Sequence, residues 1–320
     1  MKAYIRSLSI EERKTYVSAI SYTFFQSMSC LLVKIMISWY KIKSLTLICE
    51  GGSIISVMCI CRIIISIRNK KTKSEEVLDI NRNKWVLLNA VVNCLCLVFA
   101  MFSLVYTSIS TYTLIQNQSS ILTIFLSHYF LQEEIRKDQT IWYVLMIISC
   151  VIVISPLLSK SYEEFLGIVL ALLATAALSL SHIVNRKTTS SQIDTLILFI
   201  GIYSAAFGCF AIVIFTNEVG EINIFYWLLI LLKSFMTYYM IIFQIKAVRD
   251  LKNANKLIPF SLLSNLSSLI LGVYLFNLNL NVNDYIGYGF TFLFIYVVST
   301  KIMQPSKMNQ LIEYGDYEYN

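Results

Sequence analysis

The segment YTSISTYTLIQNQSSILTIFL, from Tyr106 to Leu126, is rich in hydroxyl and amide side chains, yet it lies in a chain dominated by apolar residues. Of the 320 residues, 57% are hydrophobic and 14% are charged, and the mean hydropathy is +0.67. Soluble domains seldom combine so much apolar surface with so little charge, so these values predict an integral membrane protein. The segment is therefore expected to cross a lipid bilayer, where its polar side chains need partners other than bulk water.

Apolar runs of about 20 residues, the length that crosses about 30 Å of hydrocarbon, recur along the whole chain. They predict an all-α polytopic membrane protein with ten transmembrane helices. The predicted spans are 17–38, 45–67, 85–105, 108–130, 141–158, 165–184, 194–215, 224–245, 257–276 and 284–303.

The distribution of Lys and Arg supports this count, because these residues accumulate in cytoplasmic loops. With the N-terminus in the cytoplasm, 20 of the 26 Lys and Arg residues fall on the cytoplasmic side, against only Lys41, Lys43 and Lys160 on the other side. Removing or merging one span would invert every later loop and abolish the asymmetry. Ten spans with both termini cytoplasmic are therefore predicted.

Several classes of protein are excluded by composition and motifs. The topology accounts for the net charge of +7, and no basic patch is interleaved with base-stacking aromatic residues, so no binding to nucleic acid is expected. All eight cysteines lie in apolar spans and are expected to be buried, inert thiols; with only two histidines, no metal site is predicted. The spans lack the paired carboxylates or nucleophile–His–acid sets of enzymes, so neither catalysis nor a cofactor is predicted.

An internal repeat divides the chain into two halves. NQSSIL from Asn117 and NLSSLI from Asn265 resemble each other at a separation of 148 residues, and the same shift maps the first span onto the sixth. Five spans per half is an odd number, so the second half enters the membrane from the opposite side. We expect two inverted five-helix repeats, 1–160 and 161–305, a cytoplasmic tail, 306–320, and a substrate site between the repeats near mid-membrane.

Two polar stripes mark the fourth and ninth spans. Helical spacing places Ser110, Thr113, Asn117 and Ser120 on one face of the fourth span, and Ser261, Ser264, Asn265 and Ser268 on the corresponding face of the ninth. Each single Ser or Thr is expected simply to bond a neighbouring helix or its own backbone. Because both stripes carry an Asn in symmetry-related helices, they are also predicted to line a water-accessible cavity together and to bind substrate.

Ionisable side chains inside the spans are further candidates, since burying one at mid-membrane costs about 2.5–3.5 kcal/mol even on lenient scales. Lys233 lies close to the midplane of the eighth span, where its charge would attract an anionic substrate such as a phosphate or carboxylate compound. Lys34 in the first span and Glu50 in the second both fall in the non-cytoplasmic third of the membrane. They are interpreted either as a structural ion pair or as substrate contacts.

The stretch YTSISTYTLIQNQSSILTIFLSHYFLQEEIRKDQTIWYVLMIISCVIVIS resembles the fourth and fifth spans of the drug/metabolite transporter superfamily, especially its EamA-like and nucleotide-sugar-transporter branches. Leu131, Glu133 and Glu134 stand where those families have a Leu-x-Glu-Glu turn, and LLVKI around Lys34 is similar to their first span. The resemblance implies transport without ATP hydrolysis, by exchange or ion coupling. The second span departs from the usual pattern at Glu50, and nucleotide-sugar specificity does not carry over, because the residues that those carriers use for the base and the sugar are not matched in this sequence.

Together these features predict a secondary-active transporter of a small polar or anionic metabolite, working by alternating access within a lipid bilayer. A row of small residues on the sixth span, Gly167, Ala171, Thr175 and Ser179, suits a moving interface, although static packing explains it equally well. The alternative is a non-transporting receptor or scaffold derived from the same fold. The sequence leaves the substrate, the coupling ion and the formation of a homodimer open.

Overall fold

The structure, a computed structural model, describes residues 10–68, 84–133, 135, 137–158, 161–186, 193–215, 224–250, 258–277 and 282–303. These segments are helical, and no β-strand occurs in them. The helices are α1 (Ile10–Ser38), α2 (Ser44–Arg68), α3 (Lys84–Tyr106), α4 (Ile109–Asn117), α5 (Ser119–Leu131), α6 (Lys137–Leu158), α7 (Tyr162–Asn185), α8 (Ile193–Phe215), α9 (Ile224–Asp250), α10 (Ile258–Phe276) and α11 (Val282–Met303).

Six of the described helices, namely α1, α2, α3, α7, α8 and α9, are long and apolar enough to cross a membrane. Shorter apolar stretches lie within α6 (Tyr143–Ser155) and α10 (Leu266–Phe276). Large apolar side chains such as Val17, Ile64 and Val213 also cover the outside of the bundle, as expected of a surface that faces lipid. The chain is therefore an integral multi-pass membrane protein, whereas the number of ten crossings stays a prediction.

The fourth predicted span is two helices rather than one. α4 ends at Asn117 and α5 begins at Ser119, and the N–H of Gln118 donates to the carbonyl oxygen of Ile115 at 3.0 Å. Hydroxyl groups of α7 approach carbonyl groups beside the break, since Thr175 Oγ1 lies 3.2 Å from Ile115 O and Ser179 Oγ lies 3.1 Å from Ser119 O. Each hydroxyl shares its proton with a carbonyl oxygen of α7 itself, at 2.8 Å. Such side-chain donors are what allow an interrupted helix to persist where water is scarce.

The predicted row of small residues on α7 lies at a helix interface. A Cβ atom on Gly167 would stand 2.6 Å from Thr107 Cγ2 and 2.8 Å from Tyr106 Cβ, and Ser103 Oγ donates to Gly167 O at 2.9 Å. The absence of a side chain therefore lets α7 contact the end of α3 directly. Static packing accounts for the row in this structure.

Helices from the two halves of the chain interleave. α2 packs against α8, α4 against α10 and α6 against α11, while α3 packs against α7 and α1 against α9. One apolar core, which includes Val33, Met101 and Tyr112, lies around α1, α3 and α4. A second core, which includes Ile241, lies around α2, α8 and α9. The candidate site lies where these two cores meet.

Candidate functional site

A cavity of about 50 Å³ lies inside the bundle among α1, α3, α4, α7 and α9. It is large enough for a few water molecules or a very small ligand. Apolar and sulfur-containing side chains, including Val33, Cys96 and Met240, form much of its wall. Helices from both halves of the chain enclose it, as the sequence predicts for the substrate site.

Two contacts between polar side chains join three of these helices at the cavity. Gln26 on α1 donates its amide Nε2 to Gln116 Oε1 on α4 at 2.8 Å, and both residues line the cavity. The hydroxyl groups of Ser29 on α1 and Thr237 on α9 lie 2.9 Å apart, also within the lining. These two contacts tie α1 to α4 and to α9 around the cavity.

The amide of Gln244 is the polar group best placed to meet a ligand. Gln244 is 2% exposed and lines the cavity from α9, and its Nε2 has no hydrogen-bond partner among the described residues. A buried donor without a partner costs about 1–3 kcal/mol. A hydrogen-bond acceptor on a ligand, or a water molecule, would remove that cost.

A path of buried amides leads away from the cavity. Asn93, which lines the cavity, donates to Asn89 Oδ1 at 2.7 Å, and Asn89 donates in turn to Asn185 Oδ1. Asn185 Nδ2 then donates to Ser181 Oγ at 3.3 Å. The path runs toward the N-terminal end of α3 and the C-terminal end of α7, which the predicted topology places on the cytoplasmic side.

The described cavity lining holds amide, hydroxyl, phenol and thiol groups but no charged side chain. Lys233 is 3% exposed and lies one helical turn before Thr237 on α9, outside that lining. Cys30, which does line the cavity, is within electrostatic reach of Lys233. The predicted intramembrane charge is thus a neighbour of the cavity rather than part of its wall.

The polar stripes of the fourth and ninth predicted spans pack against each other. Ser110 Oγ donates to Ser268 O at 3.2 Å, and the hydroxyl groups of Thr113 and Ser268 lie 2.5 Å apart. Ser264 contacts Ser27 Oγ on α1 at 3.5 Å. For these residues, bonding between neighbouring helices, the simpler of the two interpretations, describes what the structure shows.

The other four stripe residues are Asn117, Ser120, Ser261 and Asn265. Asn117 and Ser120 are buried but do not belong to the described cavity lining, and the side chains of Ser261 and Asn265 lie outside the described residues. A role of the eight stripe residues in substrate binding stays a prediction.

The ion pair expected between Lys34 and Glu50 does not form, and that interpretation was wrong. Lys34 Nζ donates instead to the carbonyl oxygens of Leu104 and Thr107, each at 2.7 Å. These carbonyls stand at the C-terminal end of α3, where the last backbone acceptors of a helix lack partners and favour a cation. Glu50 keeps a buried carboxylate oxygen, Oε2, without a hydrogen-bond partner in the described part of the chain.

Comparison with known families bears on the first half of the chain. The EamA-like transporter family matches residues 13–155. Residues 13–155 are similar to EamA-like transporters, and this segment is called the EamA-like domain here. The match confirms the resemblance to EamA-like members of the drug/metabolite transporter superfamily.

Solved structures extend the likeness to most of the chain at the level of the fold. Twenty-eight solved chains match; one crystal structure aligns over 89% of this chain and 99% of its own, with a TM-score of 0.62 and 14% sequence identity. No curated protein matches the sequence.

The EamA-like domain supplies most of the polar groups of the cavity. Gln26, Asn93 and Gln116 were not predicted from the sequence, because the predicted site residues form stripes along single helices, whereas these amides come from separate helices. On α4 the predicted substrate-binding face carries Ser110 and Thr113, whereas the cavity is lined by Tyr112 and Gln116. An isolated Asn or Gln inside an apolar span, which is costly without a partner, is the signal that could have found them.

Proposed function

We propose that the protein is a secondary-active transporter that moves a small polar metabolite across the membrane by alternating access. The EamA-like domain supports transport as the class of function. The position of the substrate site is proposed from the cavity between the two halves of the chain. Gln244 lines this cavity, and its amide Nε2 donor has no hydrogen-bond partner among the described residues. The substrate is expected to present a hydrogen-bond acceptor to this donor.

The proposed architecture is ten crossings in two inverted five-helix repeats, with both termini in the cytoplasm and with α4 and α5 forming one crossing. Helix packing supports a pseudo-symmetry that relates the two halves of the chain. The contact of α3 with α7 has a counterpart in that of α9 with α1, and α2, α4 and α6 each pack against their own counterparts. Two inverted repeats around a central site are the arrangement that supports alternating access in many transporters.

The side chains that line the cavity narrow the chemical class of the substrate. Amide and hydroxyl groups can bond a neutral or zwitterionic polar molecule without a change in charge, while the apolar wall favours a compact one. An anionic group would be drawn toward Lys233, one helical turn from the cavity-lining Thr237 on α9. At about 50 Å³ the cavity must widen to admit a metabolite, and movement of helices during alternating access supplies that change.

The test is a counterflow assay on purified protein in liposomes, with panels of amino acids, nucleotides, nucleotide sugars, phosphorylated metabolites and polyamines. Gln244→Met keeps the length of the side chain and removes the donor, so it should weaken uptake of the transported compound by about tenfold, the effect of 1.4 kcal/mol. Ser53→Ala is the matched control, because Ser53 Oγ donates only to Cys49 O of its own helix at an exposed site.

Two results would oppose the proposal. Saturable binding of a ligand without counterflow would favour the receptor or scaffold alternative. Transport that is lost equally in Gln244→Met and Ser53→Ala would show that the substitutions act through folding rather than through the site.

A further inference from the structure

Two cysteines from different halves of the chain face each other. Cys49 lies on α2 and Cys209 on α8, and their Sγ atoms are 3.1 Å apart. Both are free thiols, and Cys209 is exposed while Cys49 is half-buried. This corrects the expectation that all eight cysteines are buried. A disulfide bond is about 2.05 Å long, so an approach of about 1 Å would join the two atoms.

The backbones beside these thiols are already in contact. A Cβ atom on Gly208 would stand 2.6 Å from both Cα and N of Cys49, so α8 touches α2 at this residue. Further along the pair, a Cβ atom on Gly52 would stand 2.5 Å from Ala205 N. Because the glycines hold the helix axes close along this interface, side-chain rotation can supply the remaining approach of the thiols.

The predicted topology places both thiols toward the same side of the membrane. Cys49 lies five residues after the start of α2 at Ser44, and Cys209 lies six residues before the end of α8 at Phe215. Both helix ends are non-cytoplasmic in the proposed topology. Disulfides form and persist on that side of cellular membranes, whereas cytosolic thiols stay reduced.

We propose that Cys49 and Cys209 form a reversible disulfide that joins α2 to α8. Both S–H bonds break and one S–S bond forms, and the two electrons and two protons released reduce molecular oxygen to hydrogen peroxide. A dithiol reductant reverses the reaction by thiol–disulfide exchange and is itself oxidised to a disulfide. The cross-link connects the EamA-like domain to the second half of the chain.

The experiment uses the full chain in liposomes, oxidised by dissolved oxygen with copper–phenanthroline as catalyst. The protein is then denatured, its remaining thiols are counted with a maleimide–polyethylene glycol reagent, and its peptides are mapped by mass spectrometry. Two of the eight thiols should become unreactive, a peptide joining Cys49 to Cys209 should appear, and a dithiol reductant should restore the full count.

Single variants show whether the two cysteines are the ones that react. Cys49→Ser and Cys209→Ser should each keep all of their thiols reactive under the same oxidation. Cys61→Ser is the matched control, since Cys61 is also an exposed cysteine on α2, and this variant should still lose two thiols. Because the wild-type peptide map needs no variant, a folding defect in one variant leaves the test intact.

A full thiol count after oxidation, a cross-linked peptide that joins other cysteines, or a bond between two copies of the chain would overturn the proposal. None of these readouts depends on transport, so the inference is tested independently of the proposed function.

Discussion

Lys233 Nζ lies 2.9 Å from the position that a Cβ atom would take on Gly51. The glycine of α2 therefore leaves the space that the ammonium group of α9 occupies, and Lys233 is buried there between the two helices. The same lysine is within electrostatic reach of Cys30 in the cavity wall. Gly51 thus positions a buried charge next to the candidate site without placing it inside the lining.

Replacing Gly51 by Ala should displace this ammonium group. Because the clash is with the end of a flexible side chain, which can move, we expect a loss of stability smaller than the typical cost of overpacking, about 1–3 kcal/mol, together with altered transport of anionic compounds. Thermal unfolding in detergent measures the first effect and counterflow the second.

Gly289 on α11 supplies the control, because a Cβ atom there would have no atom within 4 Å among the described residues. Gly289→Ala should leave stability unchanged or raise it slightly, since Ala favours helix by up to about 1 kcal/mol. Equal destabilisation by the two substitutions would contradict a specific role for the space beside Gly51.

Lys233→Gln should separate anionic from neutral substrates. Removal of the charge should lower counterflow of an anionic substrate by about tenfold, which corresponds to 1.4 kcal/mol of lost attraction, and should leave neutral compounds largely unaffected. Lys246→Gln on the same helix is the control, because Lys246 lies near the predicted cytoplasmic end. If no candidate anion responds to Lys233→Gln, the lysine does not select substrate.

The amide pair Gln26–Gln116 should show strong coupling. Either Gln26→Leu or Gln116→Leu alone leaves one buried amide without its partner, which costs about 1–3 kcal/mol. The double variant should cost less than the sum of the single variants, because neither amide is then left unpaired. A double-mutant cycle measured by thermal unfolding tests this, and strict additivity would mean that the 2.8 Å contact contributes nothing.

Hydroxyl groups of α7 should stabilise the break between α4 and α5. Thr175→Val and Ser179→Ala each remove a hydroxyl that is shared between its own helix and the backbone at Ile115 or Ser119. We expect each substitution to cost about 0.6 kcal/mol, the average for interhelical hydrogen bonds in membranes. Ser53→Ala removes a hydroxyl bonded only within its own helix and should cost less. Equal effects of all three substitutions would argue against a special role for the α7 donors.

Hydropathy located the helices accurately, because apolar length is what the bilayer requires. The predicted spans 45–67 and 85–105 correspond to Ser44–Arg68 and Lys84–Tyr106. The break at Gln118 could not be predicted in this way, since no Pro or Gly marks it and its donors belong to α7. The periodicity of one helix shows that it has a polar face, but it does not show which helix covers that face.

Lys34 illustrates the same limit. Its depth in the membrane suggested an acidic partner at equal depth, and Glu50 was the candidate. The partners are instead backbone carbonyl oxygens at the end of α3, and a sequence carries no signal for an unpaired carbonyl until the helix end has been located. For this reason the sequence predicts a site between the two halves, where the candidate cavity lies, but does not identify the side chains of the cavity lining.

Oxidation of the Cys49–Cys209 pair should slow transport if the two halves move against each other. The bond would hold α2 against α8 on the side that the proposed topology makes non-cytoplasmic, and so oppose separation of the helices there. Counterflow in liposomes should fall after copper–phenanthroline treatment and recover after reduction, while Cys209→Ser should stay unaffected throughout. Full activity in protein shown by peptide mapping to be cross-linked would mean that α2 and α8 move as one unit, and the moving interface would then lie between other helices, such as α4 and α10.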